Sequence, residues 1–476
     1  MDMFIGGRWQ GSPEWVDIVA PYSREIIDRV PLATPDQVEE ALATAHRGAA
    51  VMRALSGAAR ADILRRAADL LDADADRVAR TITLEVGKPI AEARGEASRL
   101  GEMFRLASFE GTQARGETLP LDAQAGAEGK LGFTLRIPTG VVVAITPFNY
   151  PALLVVHKIA PALAAGNAVI LKPATQAPLT ALIITEKLIE AGLPEPVLQT
   201  ITGAGRAVGM ALVRDARVRK VSFTGSTSVG EEITRVAGVK RLSLELGANC
   251  PMVVMPDADI ELAAEASATG GYVNAGQVCI SLQRVIVHEE VYEDYLDALR
   301  EPVASFQLGD PLGEDTKIGA MISETEAARV ARWIDEATAS GARVAIGGHR
   351  DGALLSPTVV ADVTPDMKLF EQEVFGPTLG VTKARSIDHA IALANDSSYG
   401  LGAGIFTRDV THALRFAREV DAGSLHVNWT PLWRADLMPY GGLKGSGIGK
   451  EGIRYAVEEM TELKTVVIHG LEGGSP

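Results

Sequence analysis

The chain has 476 residues, 47% of them hydrophobic and 22% charged, with a net charge of −15. That composition supports more than one folded domain and excludes general disorder, while so acidic a surface repels nucleic-acid phosphates and anionic membranes. Only two cysteines, Cys250 and Cys279, are present, which excludes a disulfide framework and fits a reducing, cytoplasmic setting.

The opening MDMFIGGRWQ lacks the apolar core of a secretory leader and reads as strand, Gly-Gly turn and strand over 3–10. A short extended hairpin is expected at 21–29. Residues 35–110 turn helical: Asp36 is placed as the cap of a helix through 39–51, and Ile63, Leu64, Ala67, Leu70 and Leu71 recur at the helical period. Gly87-Lys88-Pro89 breaks that run and 91–111 resumes it. The stretch 126–133, with the extended TLRI after it, reads as a hairpin outside any core.

From Ile137 onward short apolar runs alternate with helical segments. The runs are VVVAI (141–145), AVILK (168–172), VLQTI (197–201) and KVSFT (220–224), with helices expected at 151–165, 178–191, 205–213 and from Ser228. His157, Lys158, Pro161 and Asn167 interrupt 151–171, so it is not a membrane span. After Glu245 the alternation restarts with PMVVM (251–255), a helix at 259–275, RVIVH (284–288) and a helix at 290–305. Later strands fit 343–346, 357–360, 379–384, 401–406 and 424–428. This pattern predicts βαβ units and two α/β domains. The late strand 461–470 stands outside both sheets and, with the 126–133 hairpin, is suited to pairing between subunits.

Several residues are candidates for chemistry. Cys279, in NAGQVCISLQ, is either an inert core thiol or a nucleophile at an irregular turn. Glu245 follows the alternating Leu242 and Leu244, and is either surface-facing or a buried acid of raised pKa able to act as a base. Asn149 is either a turn residue or an oxyanion donor. Lys172 ends a buried strand, where α/β sheets bind ligands or a lysine simply snorkels. Two glycine-rich segments can approach phosphates, TGAGRAVG (202–209) and FTGSTSVG (223–230), and the second follows a strand and opens a helix. The eight histidines show no ligand spacing, so no metal is expected.

Taken together, TPFNYP (146–151), HKIAPALAAGNAVILKP (157–173), FTGS (223–226), LELGANCP (244–251), GQVC (276–279), EVFGP (373–377) and PYGGLKGSGIGKEG (439–452) resemble the NAD(P)-dependent aldehyde dehydrogenase superfamily over nearly the whole chain. The resemblance implies two Rossmann-like α/β domains plus a small β oligomerisation element, with residues 1–117 and 139–247 for the cofactor, 248–446 for catalysis, and 118–138 with 460–473 for assembly into a homodimer or homotetramer. It implies Cys279 as nucleophile, Glu245 as general base, Asn149 as oxyanion donor, and Lys158 and Glu451 in proton exit. The cofactor would meet Ile145, Thr146, Pro147, Phe148, Lys172, Thr175, Gly205, Phe223, Gly225, Ser226, Val229, Leu246, Glu373 and Phe375, with Lys172 and Glu373 at the ribose. The substrate would meet Arg99, Tyr150, Ser281 and Arg434, with His157 nearby, and would be a small polar or acidic aldehyde.

Four positions depart from the family pattern. Ala248 replaces the second glycine after the base, Tyr150 replaces a common histidine, and Val278 stands where some relatives acting on phosphorylated aldehydes have arginine. Thr175 stands where NAD-specific relatives often carry glutamate; lacking that repulsion, the chain is expected to use NADP or both cofactors. The alternatives are a non-enzymatic binding protein on this fold, or a relative that passes its thioester to coenzyme A. Relatives of the second kind lack the acid found here at Glu245, which argues for hydrolysis.

Overall fold

The computed structural model describes residues 1–470; residues 471–473 of the expected assembly element lie outside the described residues. The first sheet has eight strands, in the spatial order Arg8–Gln10, Met3–Ile5, Leu198–Thr200, Ala168–Lys172, Val141–Ile145, Val218–Thr224, Arg241–Glu245 and Gly447–Ile448. The inner five are parallel and the edge strands antiparallel. The central runs are continuously apolar because both faces are covered. Val142 and Ala144 face one helical layer, and Val141 and Val143 face another.

Chain order places the cleft. From Val141–Ile145 the chain moves outward to Ala168–Lys172 and Leu198–Thr200, then crosses back to lay Val218–Thr224 on the other side of Val141–Ile145. Such a reversal opens a crevice at the strands' carboxyl ends, where ligands bind in doubly wound folds.

The second sheet has seven strands, ordered Arg343–Ile346, Thr358–Ala361, Thr378–Ala384, Arg284–His288, Pro251–Val254, Gly402–Phe406 and Ser424–Val427, all parallel except the first. A separate three-stranded sheet pairs Thr461–Ile468 with Leu131–Pro138 and then Thr118–Leu119. The mixed α/β fold with two parallel sheets thus matches the expectation.

Some boundaries differ. The first long helix, Pro35–Ala54, is capped by Thr34, not Asp36. Thr34 Oγ1 accepts from Gln37 N at 3.3 Å and Gln37 Oε1 accepts from Thr34 N at 3.1 Å, a capping box that leaves Asp36 in the first turn. The hairpin expected at 21–29 is the longer pair Glu14–Val19 and Ile26–Leu32. The helix expected to 275 ends at Tyr272. Among the described residues, the longer helices that escaped the sequence reading are Glu324–Ala339, Ile387–Asn395 and Val410–Glu419, opened by capping side chains at Ser323, Ser386 and Asp409; the short helices Lys368–Glu371 and Ile453–Glu459 escaped it too. Among the described residues no helix is long and apolar enough to cross a membrane.

Candidate active site

A cavity of about 1010 Å³ lies where the carboxyl ends of the first sheet meet the loops entering the second. From the first sheet come Ile145, Thr146, Pro147, Phe148 and Asn149 after one central strand, and Phe223, Gly225, Ser226 and Val229 around the end of the other. Leu246 follows the next strand. The second sheet contributes Cys279 ahead of Arg284–His288, and Glu373 and Phe375 ahead of Thr378–Ala384. Lys172, Thr175 and Gly205 are not among the lining residues, but Ala174 and Gln176 are, so this strip borders the cavity. Lys172 Nζ donates to the Pro173 carbonyl at 2.8 Å, and Thr175 Oγ1 donates to the Gly203 carbonyl at 3.1 Å. The helix Glu324–Ala339 adds Glu326, Arg329 and Trp333, which sequence reasoning missed along with the helix itself.

The cavity fits a dinucleotide. Ser226 precedes the helix Thr227–Val236 without capping it, so the first-turn N–H groups are left for an anion. A Cβ at Gly225 would strike the Phe223 ring at 2.5 Å, so that turn is closed to larger residues. Burial pushes the Lys172 amine down to about 8, leaving it with a proton to share near neutral pH. Burial also pushes the Glu373 carboxyl up to about 7; its Oε1 accepts from Ala248 N at 3.0 Å. Phe148 and Phe375 meet edge to face, with centroids 6.0 Å apart.

The cysteine loop is held in an unusual shape. Asn274, Ala275 and Gly276 have φ of 51°, 53° and 69°, three left-handed residues in succession. Asn274 N donates to Glu92 Oε2 at 2.9 Å, and Asn274 Nδ2 donates to the Asn149 carbonyl at 3.0 Å. Gln277 Oε1 accepts from Ile322 N at 2.9 Å. Asn149 Nδ2 in turn donates to the Gln277 carbonyl at 2.8 Å, which leaves its second N–H for another acceptor. Cys279 is half-buried, and its Sγ lies 2.9 Å from Tyr440 Oη. Burial pushes the Cys279 thiol up to about 11.

Glu245 ends its strand buried, not surface-facing. Burial first, and the charge of Glu451 next, hold its carboxyl well above the usual range, against Arg434, Lys158 and Lys450. Behind it lies a charged network. Lys158 Nζ donates to Glu451 Oε1 at 3.0 Å, and Arg434 donates to Glu451 Oε2 at 3.2 Å and contacts His157 Nδ1 at 3.3 Å. Burial opposes the Glu451 charge, but Lys158 and Arg434 together hold it down to about 2. Burial and the Arg434 charge push His157 down to about 4, so it is neutral at pH 7. Arg99 grips Asp436 through Nη2 at 2.5 Å and Nε at 3.3 Å.

Of the predicted substrate residues, Ser281 sits apart from this cluster, whereas Tyr150 packs on the apolar group that also holds Cys279 and Tyr440. Ser281 Oγ donates to the Gly270 carbonyl at 3.1 Å and does not line the cavity. Tyr150 packs beneath Lys88, whose Nζ is 3.5 Å from its ring centre. Lys88 pairs with Glu96, which accepts from the backbone N–H groups of Ala152 and Leu153 at 3.0 and 2.9 Å. The methyl of Ala248 is packed with Cys250, Val278, Ile280 and Tyr440. Unpartnered buried polar atoms are found here on Asn149 Oδ1, Glu245 Oε2 and Arg434 Nε, while His157 Nε2 lies 3.5 Å from Asp436 Oδ1. Such orphans are costly in a fold and are a signature of groups kept for a ligand. Among the described residues no cluster fit for a metal is present.

Comparison with known proteins agrees with this geometry. The profile described as "Aldehyde dehydrogenase family" matches residues 9–466. The chain is 43% identical over 467 residues to a 3-sulfolactaldehyde dehydrogenase of Priestia aryabhattai, covering 98% of each. It is 42% identical over 474 residues to a lactaldehyde dehydrogenase of Methanococcus vannielii, covering 98% of this chain and 100% of that one. Among solved structures, the glyceraldehyde-3-phosphate dehydrogenase GapN of Methanocaldococcus jannaschii, complexed with NADP, superposes with a TM-score of 0.92 at 37% identity, covering 96% of this chain and 99% of that one.

Proposed function

The chain belongs to the aldehyde dehydrogenase family, and we propose that it oxidises a short 2-hydroxyaldehyde bearing a polar or acidic substituent to the corresponding acid. It is an NAD(P)+-dependent enzyme. The aldehydes named in its three relatives above share a 2-hydroxypropanal skeleton and differ at the third carbon. Arg434, half-buried near Cys279 and Glu245 with an unpartnered Nε, supports a substrate able to accept a hydrogen bond from a cation. Arg99 and His157 extend that polar surface through Asp436.

The observation that bears most weight is that Cys279 and Asn149 line one cavity while Glu245, buried behind it with an unpartnered Oε2, is close enough for its charge to act on the Cys279 thiol. In this reading Cys279 sulfur bonds the aldehyde carbon, and the free Asn149 N–H takes the developing oxyanion, an interaction worth about 3 kcal/mol. When bound, the nicotinamide supplies the two-electron acceptor that the oxidation needs. Gly225 and Ser226 would hold its pyrophosphate, and Lys172 and Glu373 its ribose. Glu245 then takes a proton from the water that hydrolyses the Cys279 thioester, and passes it toward Glu451 and Lys158. Residues 1–117 and 139–247 bind the cofactor, 248–446 hold the nucleophile, and 118–138 with 460–473 join subunits into a dimer or tetramer. Thr175 in place of an acid favours NADP or dual use.

A panel of lactaldehyde, 3-sulfolactaldehyde, succinate semialdehyde and uncharged propanal, run with NAD+ and NADP+ and with or without coenzyme A, tests this reading. The expected result is highest kcat/KM on the 2-hydroxyaldehydes, acid as product, and no stimulation by coenzyme A. A tenfold preference for NAD+, for propanal, or for coenzyme A as acceptor would each overturn the corresponding part.

A further inference from the structure

We propose that Tyr440 is a further catalytic residue, whose phenol hydroxyl is the hydrogen-bond partner of the Cys279 sulfur in both protonation states of that sulfur. The proposal rests on the reading of Cys279 as nucleophile. Oη lies 2.9 Å from Sγ, and among the described residues no other hydrogen bond reaches either atom. A hydroxyl both donates and accepts. It therefore accepts from the resting thiol and, by rotating its hydrogen, donates to the thiolate. A backbone N–H or a carbonyl in the same place could serve only one of the two.

The ring is fixed for this task. Tyr440 is buried and exchanges backbone hydrogen bonds with Glu451, N to O at 3.1 Å and O from N at 2.6 Å. One face packs under the Arg434 guanidinium at 3.8 Å, a cation that favours negative charge on the neighbouring sulfur. The next residue is closely confined: a Cβ on Gly441 would lie 2.8 Å from Glu245 Oε1. Thiol, phenol, guanidinium and base thus form one packed group. Burial drives the Cys279 thiol up, and the Tyr440 hydrogen bond is the strongest influence pulling it back. Burial also holds the phenol well above its usual range, so it keeps its proton at working pH.

In the step itself the thiol proton leaves to water and the sulfur lone pair forms the S–C bond. The carbonyl π pair moves to oxygen, and Tyr440 transfers no proton. Once sulfur is bonded to carbon it is no longer an anion, and the hydrogen bond from Oη weakens.

The test is the pH profile of Cys279 alkylation by iodoacetamide on substrate-free enzyme, read by peptide mass spectrometry so that Cys250 does not contribute. In the parent enzyme the rate should climb about tenfold per pH unit through neutrality, because the thiolate is the minor form. Tyr440→Phe should move the profile upward by about one unit, roughly tenfold slower alkylation at fixed pH, with a similar fall in kcat and an unchanged cofactor KM. Replacing Tyr440 by 3-fluorotyrosine, which keeps the shape and has a more acidic phenol, should move the profile downward. A Phe variant with the parent profile, or a fluorotyrosine variant with no downward shift, overturns the proposal, and the second decides if the first fails to fold. Alkylation needs no turnover, so this outcome is separate from that of Cys279→Ser, which tests the nucleophile itself.

Discussion

The site depends on a few atoms whose ordinary preferences are opposed. Asn149 is held at both ends, its carbonyl by Asn274 and one amide N–H by Gln277, so the remaining N–H is aimed without further ordering. Asn149→Ala should therefore lower kcat by about a hundred- to a thousandfold and leave cofactor KM within twofold, checked by steady-state kinetics. An equal loss in both would point to a collapsed loop instead. From local pattern alone Cys279, Glu245 and Asn149 were open choices, because burial decides between surface acid and buried base and periodicity does not report it; the resemblance of the surrounding motifs to a known family was what gave them roles. The buried Lys88 and Glu96 and the half-buried Glu92 behind the site were not read from the sequence. Lys88 read simply as part of a Gly-Lys-Pro break; the acids at 92 and 96, one helical turn apart, were the available signal.

At the scale of elements, the left-handed stretch 274–276 is the part of the fold under most constraint. Gly276 has φ 69°, and a Cβ there would meet the Gly376 carbonyl at 2.2 Å. Gly276→Ala should destabilise the protein by about 2–4 kcal/mol and abolish turnover, read by thermal melting beside activity. A melting point matching the parent would show that this backbone is not strained as described. The buried strands were the most legible elements, since 141–145, 168–172, 251–255 and 284–288 are apolar runs too short for helices. The helix start at Thr34 was misplaced because Pro35 at the first helical position puts the cap two residues earlier than the acidic Asp36 suggests. The helices Glu324–Ala339 and Val410–Glu419 keep few buried positions, so their apolar signal is thin.

For the whole molecule, the three-stranded sheet leaves the outer edge of Thr461–Ile468 without a partner among the described residues. Leu463, Val467 and Ile468 are exposed on it, and Leu131 and Leu135 on its neighbour. A long apolar edge of this kind is a site of aggregation unless another chain covers it. If this edge joins subunits as proposed, Leu463→Lys combined with Leu135→Lys should lower the sedimenting mass relative to the parent, and an unchanged mass would contradict a role for this edge in assembly. In the proposed reaction the substrate becomes bonded to Cys279 and Glu245 sets it free, which intact-mass spectrometry of Glu245→Gln after mixing with lactaldehyde and NADP+ tests. One lactoyl group should accumulate per chain, located on Cys279 by peptide mapping; a chain that turns over freely, or that stays unlabelled after cofactor reduction, would rule out a Cys279 acyl-enzyme released by Glu245.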